Sequence, residues 1–211
     1  MTVKKTDNHN PKAKLDLRRY FLKKYHADGQ PIRVFDCCQG SGLLWRELRK
    51  EFDVASYWGV DVKPKAGRLK IESQRVLAQT GMTENVIDID TYGSPWKHWA
   101  VLLPNITQPI TVFLTIGQVS FSGSPLHREA REALGIGNFK VPNAIGCKLN
   151  CLAANYLLSY VRSGTTILEA VEAVSDGNAR YIGVRLEPMN ANGPQFVPAS
   201  RSEPTHVEKG Q

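Results

Sequence analysis

Between residues 31 and 116, apolar runs of strand length alternate with segments of helical spacing. Pro31–Asp36 (PIRVFD) has the pattern of a buried strand. Leu43, Leu44, Leu48 and Phe52 recur at helical spacing, so 43–52 is expected to be a helix. Tyr57–Asp61 and Asn85–Asp90 (NVIDID) are further short strands, and Trp96–Leu103 is expected to be helical. Ile110–Ile116 (ITVFLTI) is the pattern of a central parallel strand buried on both faces. Residues 117–146, rich in Gly, Pro, Ser and charge, form a long connection to an amphipathic helix over Lys148–Arg162. Thr166–Val174 and Ala179–Glu187 are strands joined by Ser-Asp-Gly-Asn, a hairpin signal. Before this body, Leu15, Leu22 and Tyr25 with bases between them predict a short helix laid on it, bases outward. From Pro188 the chain is polar and Pro-rich, as a loose tail would be.

Gly67–Thr80 supports two assignments. Leu69, Val76 and Leu77 fit one helix face. Alternatively Arg68–Glu72 is a strand followed by a short helix, which leaves only about six residues between parallel strands where a dozen or more are usual.

Strands alternating with helices predict an α/β doubly wound, mostly parallel sheet with a closing antiparallel strand. Ligands of such sheets bind outside the carboxyl ends of the strands. The loops after Asp36, Asp61 and Asp90 all fall on that edge.

The chain has 211 residues, 42% of them hydrophobic, enough for one domain with tails. The expected division is a basic arm and helix over 1–28, a ligand-binding domain over 29–187 and a tail over 188–211. No apolar run approaches the roughly 20 residues of a membrane span, so no membrane contact is expected. The first 14 residues lack the apolar core of a secretory signal. Four cysteines are too few for a disulfide scaffold, which fits a reduced, cytoplasmic protein. Cys37-Cys38 and the Cys147/Cys151 pair offer no Cys-x2-Cys spacing, so no metal site is expected. Charge is uneven. Residues 1–26 hold eight of the 27 bases and two of the 20 acids, so the arm carries +6 of the net +7. A basic arm on a near-neutral body points to a polyanion such as nucleic acid, or else to a solubilising tail.

The sharpest chemistry lies in the loops. Asp36-x3-Gly40-x-Gly42 closes a strand and opens a helix, where glycines let backbone approach a ligand. Asp61 ends the next strand, where a carboxylate can accept hydrogen bonds from two ribose hydroxyls. A nucleoside-containing ligand follows. A dinucleotide site wants Gly or Ala three residues after Gly42, for helix–sheet packing. Trp45 stands there instead. The acid four residues before Gly40 also disfavours a pyrophosphate. The ammonium and sulfonium of S-adenosylmethionine suit such acids better.

Asp88-Ile-Asp90-Thr-Tyr-Gly-Ser-Pro95 puts an acid at a strand end and an aromatic, Tyr92, two residues later. Here the sequence resembles class I S-adenosylmethionine-dependent methyltransferases, with Asp36/Gly40/Gly42 as their first motif and Asp61 as their second. Asp90-Thr-Tyr-Gly-Ser-Pro looks like the D-P-[FY]-G-S-P fourth motif of tRNA guanine-N2 methyltransferases, with Thr91 in place of the proline. The resemblance spans about residues 30–187 and implies a Rossmann-like methyltransferase sheet. It further implies that Asp36, Gly40 and Gly42 hold the methionine end and Asp61 the ribose. Glu72 with Ser73 would lie near the adenine amine. Asp90 would take the catalytic position, accepting an N–H from an exocyclic base amine, and Tyr92 would stack on the base. Asp88 is expected on the opposite face of the strand. His127, Arg128, Arg131 and Lys140 are candidate phosphate contacts in the long loop. One of Trp96 and Trp99 is expected in the core, Trp45 and Trp58 in the core or at the cofactor edge, and His98 at the surface. Methylation of a small molecule or protein, or a non-catalytic nucleic-acid-binding module, are the alternatives.

Overall fold

The computed structural model describes residues 10–27, 29–63, 69–91, 93–117, 158, 165–173 and 179–188. Their elements, in chain order, are α1 (Pro11–Tyr25), β1 (Ile32–Asp36), α2 (Leu43–Leu48), β2 (Val54–Asp61), β3 (Leu69–Lys70), α3 (Ser73–Leu77), β4 (Val86–Ile89), α4 (Trp96–Leu102) with a 3-10 turn at Leu103–Asn105, β5 (Ile110–Ile116), β6 (Thr165–Ala173) and β7 (Arg180–Pro188). The strands form one seven-stranded sheet in the order β3-β2-β1-β4-β5-β7-β6. Neighbours among β1 to β5 pair in parallel, and β7 runs antiparallel between β5 and β6. This is the expected doubly wound sheet with its antiparallel closure.

Residue type explains the placement. Every residue of β4 and β5 is buried, as a strand covered on both faces requires. Alternate residues feed two cores. Phe35, Ile87, Ile89, Val112, Leu114 and Ile182 face Leu77 of α3 and Trp96, Trp99 and Leu102 of α4. Val34, Val86, Phe113 and Tyr181 face Leu17, Phe21 and Leu22 of α1 and Trp45 and Leu48 of α2. β6, at the sheet edge, alternates buried or half-buried with exposed positions.

Three expectations change, and one open choice is settled. α1 starts at Pro11, ahead of the apolar stripe, because the Asn10 side chain accepts a hydrogen bond from Ala13 N and proline takes the first helical position. α2 stops at Leu48, where Arg49 to Phe52 continue as turns rather than helix. Residues 67–80 take the second assignment, at least over their described part: β3 pairs in parallel with β2, and α3 follows. The connection is short because β3 pairs only with Val60 and Asp61, at the tip of β2. The chain therefore need not travel back the length of a whole strand. Finally, both Trp96 and Trp99 are in the core, and His98 beside them is buried rather than exposed. The expected helix over 148–162 lies outside the described residues except Leu158, which packs on the first core.

Candidate active site at the carboxyl edge of the sheet

The glycine loop follows β1 directly. Cys37 N donates to Asp88 O at 2.8 Å and Gln39 N to Val60 O at 3.0 Å, so the loop is tied to both neighbouring strands. Gly40 and Gly42 have φ of 47° and 66°, a conformation that side chains disfavour. Asp61, at the end of β2, closes on this loop. Its Oδ2 accepts from Gly40 N at 3.0 Å and its Oδ1 from Lys63 N at 2.8 Å. An ionised carboxylate offers about four acceptor positions, so one position on each oxygen remains for a ligand. The close approach needs a third glycine that the sequence did not single out. A Cβ on Gly59 would lie 2.9 Å from Asp36 O and 3.0 Å from Gln39 Cβ. A glycine inside an apolar strand was the available signal.

The second half of the site is a cluster of acids on the α1 face. Asp36 and Asp88 are register partners on β1 and β4. Asp88 and Asp90 are two residues apart, so alternation gives them the same face, and the expectation of opposite faces is corrected. α1 meets them with its own spacing. Arg18 donates from Nη2 and Nε to the two Asp88 oxygens at 2.6 and 2.8 Å. Lys14 Nζ lies 2.7 and 2.6 Å from the two Asp90 oxygens. Four residues of helix rise about 6 Å, and two residues of strand about 6.6 Å; the two spacings match. Trp45 Nε1 donates to Asp88 Oδ2 at 2.6 Å. The bases of α1 are thus not all outward. Lys14 and Arg18 are buried, Arg19 pairs with Asp16 and Glu51, and Lys24 pairs with Glu169.

Asp36 accepts from Tyr57 Oη at 3.0 Å and Cys38 N at 3.2 Å but has no cation of its own among the described residues. Burial, reinforced by the charges of Asp88 and Asp90, pushes its carboxyl up to about 8 against those hydrogen bonds. Burial would also raise Asp90. The charges of Lys14 and Arg18, with hydrogen bonds from Lys14 and Thr115, outweigh it and hold Asp90 below its usual range. Among the described residues three carboxyl groups thus face two cations, and Asp36 keeps its proton for want of a third. A ligand cation beside them would favour release of that proton, and a pyrophosphate would not.

The loop after β4 is fastened to the end of β5. Gly117 N donates to Gly93 O at 2.7 Å, and Gly93 has φ 109°. A Cβ on Gly117 would sit 3.1 Å from Gly93 N. Thr91, buried in this loop, donates from Oγ1 to Thr115 O at 3.4 Å. Asp90 does not cap α4, whose N-cap is Pro95. Tyr92, His127, Arg128, Arg131 and Lys140 lie outside the described residues. Ser73 is buried with its hydroxyl 2.8 Å from His98 Nε2, so it is already engaged. Glu72 is exposed at the start of α3, 3.6 Å from Arg75. Burial pushes His98 down to about 4, with Glu72 opposing and Lys97 assisting. Burial also pushes up the thiols of Cys37 and Cys38. Among the described residues no group of three or more His, Cys, Asp or Glu is placed to hold a metal ion, and no helix is long and apolar enough to cross a membrane.

No protein-family model matches the chain, and no curated protein does. Solved structures do. Trm1 from Pyrococcus horikoshii, in complex with S-adenosyl-L-methionine, superposes on 85% of this chain at 16% identity with a TM-score of 0.54. A protein from Listeria monocytogenes, assigned to class I of the S-adenosylmethionine-dependent methyltransferases, superposes on 88% at 10% identity with a TM-score of 0.50. This chain has the Rossmann-like methyltransferase fold. It spans 56% of the Trm1 chain and 63% of the Listeria chain.

Proposed function

We propose that this protein is a methyltransferase that uses S-adenosylmethionine. One observation carries the reading: at the carboxyl edge of a methyltransferase-ordered sheet, a glycine loop bonded to Asp61 adjoins an acid cluster that has, among the described residues, one carboxyl group more than its cations. S-adenosylmethionine supplies an activated methyl on a sulfonium when bound. The loop of Gly40 and Gly42, whose glycines let a ligand approach the backbone while their N–H groups stay bonded to Asp61 and Gln39, and the Asp36 carboxyl would hold its amino-acid end. Asp61 accepts from the ribose hydroxyls through its remaining acceptor positions. Glu72, exposed beside the edge, takes the adenine amine, while Ser73 stays with His98. Residues 29–187 form the domain that carries this site.

The acceptor we infer is an exocyclic amine of a nucleic-acid base. Such a nitrogen is a poor nucleophile because its lone pair is delocalised into the ring. Asp90, ionised and at the strand end, accepts its N–H, localises the pair and stabilises the charge that develops. Tyr92 stacks on the base, a contact worth about 1–3 kcal/mol. A second reading has a specific observation in its favour. Lys14, Arg18, Arg19 and Lys24 are paired with acids of the protein, which reduces the charge available to a polyanion. It makes the acceptor a small molecule or a protein.

The test is transfer of labelled methyl from S-adenosylmethionine into separate DNA, RNA, protein and small-metabolite pools. Asp90→Asn is expected to bind the cofactor by calorimetry and to lose about 100-fold or more in turnover. Unchanged turnover in this variant removes Asp90 from the chemistry. Steep loss of substrate binding between 50 and 200 mM salt identifies a nucleic acid, and a flat response identifies the second reading.

A further inference from the structure

We propose that Lys14 is a positioning residue of the substrate edge: its ammonium, delivered by α1, fixes the Asp90 carboxylate in place and in its ionised form. The inference rests on the methyl-transfer reading and adds a residue that no sequence motif contains. Lys14 Nζ bridges both Asp90 oxygens at 2.7 and 2.6 Å. Lys14 is 4% exposed and its ammonium stands 5.0 Å from the centre of the Tyr181 ring, so it is held by the fold rather than swung over the surface. The turn that carries it is anchored one step further along, where Arg18 grips Asp88 and donates from Nη1 to Lys14 O at 3.0 Å.

The surroundings of Asp90 explain why the ammonium matters. Lys14 and Arg18 approach from α1, Asp36 from β1, Asp88 from the same strand and the Thr115 hydroxyl from β5. Removing Lys14 leaves Asp88 and Asp90, among the described residues, with one cation, Arg18, which is already committed to Asp88. Asp90 would then take up a proton more readily and lose the negative charge that stabilises the positive charge developing on the N–H group it accepts. Lys14 on both oxygens and the Thr115 hydroxyl take three of the carboxylate's about four acceptor positions, so one remains for an N–H. Lys14 therefore orients Asp90 without blocking it.

Lys14→Met, Lys14→Arg, Asp90→Asn and the double variant Lys14→Met/Asp90→Asn are compared with the full chain. Lys14→Met is expected to lower kcat by about 10- to 100-fold, less than loss of the Asp90 acceptor itself, which is about 100-fold or more. Its cofactor affinity by calorimetry stays unchanged, and the acid limb of its kcat–pH profile moves to higher pH. Lys14→Arg, which keeps the cation, recovers most of the loss. In the Asp90→Asn background Lys14→Met costs no further activity, and that double variant leaves no unpaired carboxylate at position 90 to hinder folding. An unmoved acid limb, or an equal loss in the Asp90→Asn background, overturns the assignment. If the wild type labels no pool, the methyl-transfer reading fails by itself. Lys14 is then judged on the Asp90 carboxyl titration followed by carbon-detected NMR: a rise in Lys14→Met sustains its role, and an unchanged titration overturns it.

Discussion

Arg18 carries a charge into the interior, and geometry makes that tolerable. Nε and Nη2 meet the two oxygens of Asp88, Nη1 meets Lys14 O, and the guanidinium lies 4.9 Å from the centre of the Phe113 ring. Trp45 adds an indole N–H to the same carboxylate. Arg18→Met would leave Asp88 buried with Trp45 alone, which is expected to cost about 3–5 kcal/mol, because an uncompensated buried charge is worse than no pair. Urea denaturation checks this, and Arg18→Met/Asp88→Leu should recover much of the loss. Both partners were visible in the sequence as charged residues, but their pairing was not. Asp88 and Asp90, two apart in an apolar strand, had to share a face and find cations. The bases at 14 and 18, four apart in a helix, were one of several matching choices. The expectation that these bases face outward failed because it considered the helix without the acids under it.

α1 reaches those acids because the sheet lets it come close. Gly183 in β7 lies under Phe21, and a Cβ there would stand 2.4 Å from Phe21 Cε2 and 2.7 Å from Cδ2. Gly183→Ala is expected to destabilise the fold by about 1–3 kcal/mol through overpacking, read as a lower denaturation midpoint. Phe21→Leu in the same background should relieve part of it. Elements differed in how legible they were. β5 occupies the residues its apolar run marked, because a strand buried on both faces needs no partner to be recognised. α1 begins at the cap pair Asn10-Pro11, ahead of the apolar stripe that predicts it. β3 was harder. Its two residues carry no periodicity, and only pairing with the tip of β2 makes them a strand.

Across the described residues, three buried groups shift so as to titrate between about pH 4 and 8. Burial pushes His26 and His98 from 6.5 down to about 4. Asp36 is pushed from 3.8 up to about 8, by burial first and then by its acidic neighbours. Between about pH 4 and 6.5 the unfolded chain binds two histidine protons that the folded chain refuses, and lacks one that Asp36 keeps. Unfolding then takes up one net proton, so stability rises with pH by about 1.4 kcal/mol per unit. From 6.5 to about 8 only Asp36 differs, the folded chain holds the extra proton, and stability falls as pH rises. The expected curve peaks near pH 6.5. Chemical denaturation from pH 5 to 8.5 measures it; Asp36→Asn should remove the alkaline decline and His98→Gln should flatten the acid limb. A curve that rises steadily to pH 8 would contradict the Asp36 assignment.

Periodicity alone determined the α/β class, the central strand β5, the closing hairpin and the edge on which the glycine loop and Asp61 meet. Those features are local, since a run of side chains either can or cannot cover a strand or stripe a helix. The glycine loop and Asp61 belonged to this legible part because a loop and the next strand end are neighbours in any such sheet. Tertiary structure alone decided the charges. It brought Lys14 onto Asp90, a separation of 76 residues, and Arg18 onto Asp88, a separation of 70. It also buried His98 and, among the described residues, left Asp36 without a cation. Electrostatic partners are chosen by packing across the chain, and a net charge counted along the sequence carries no record of which charges meet.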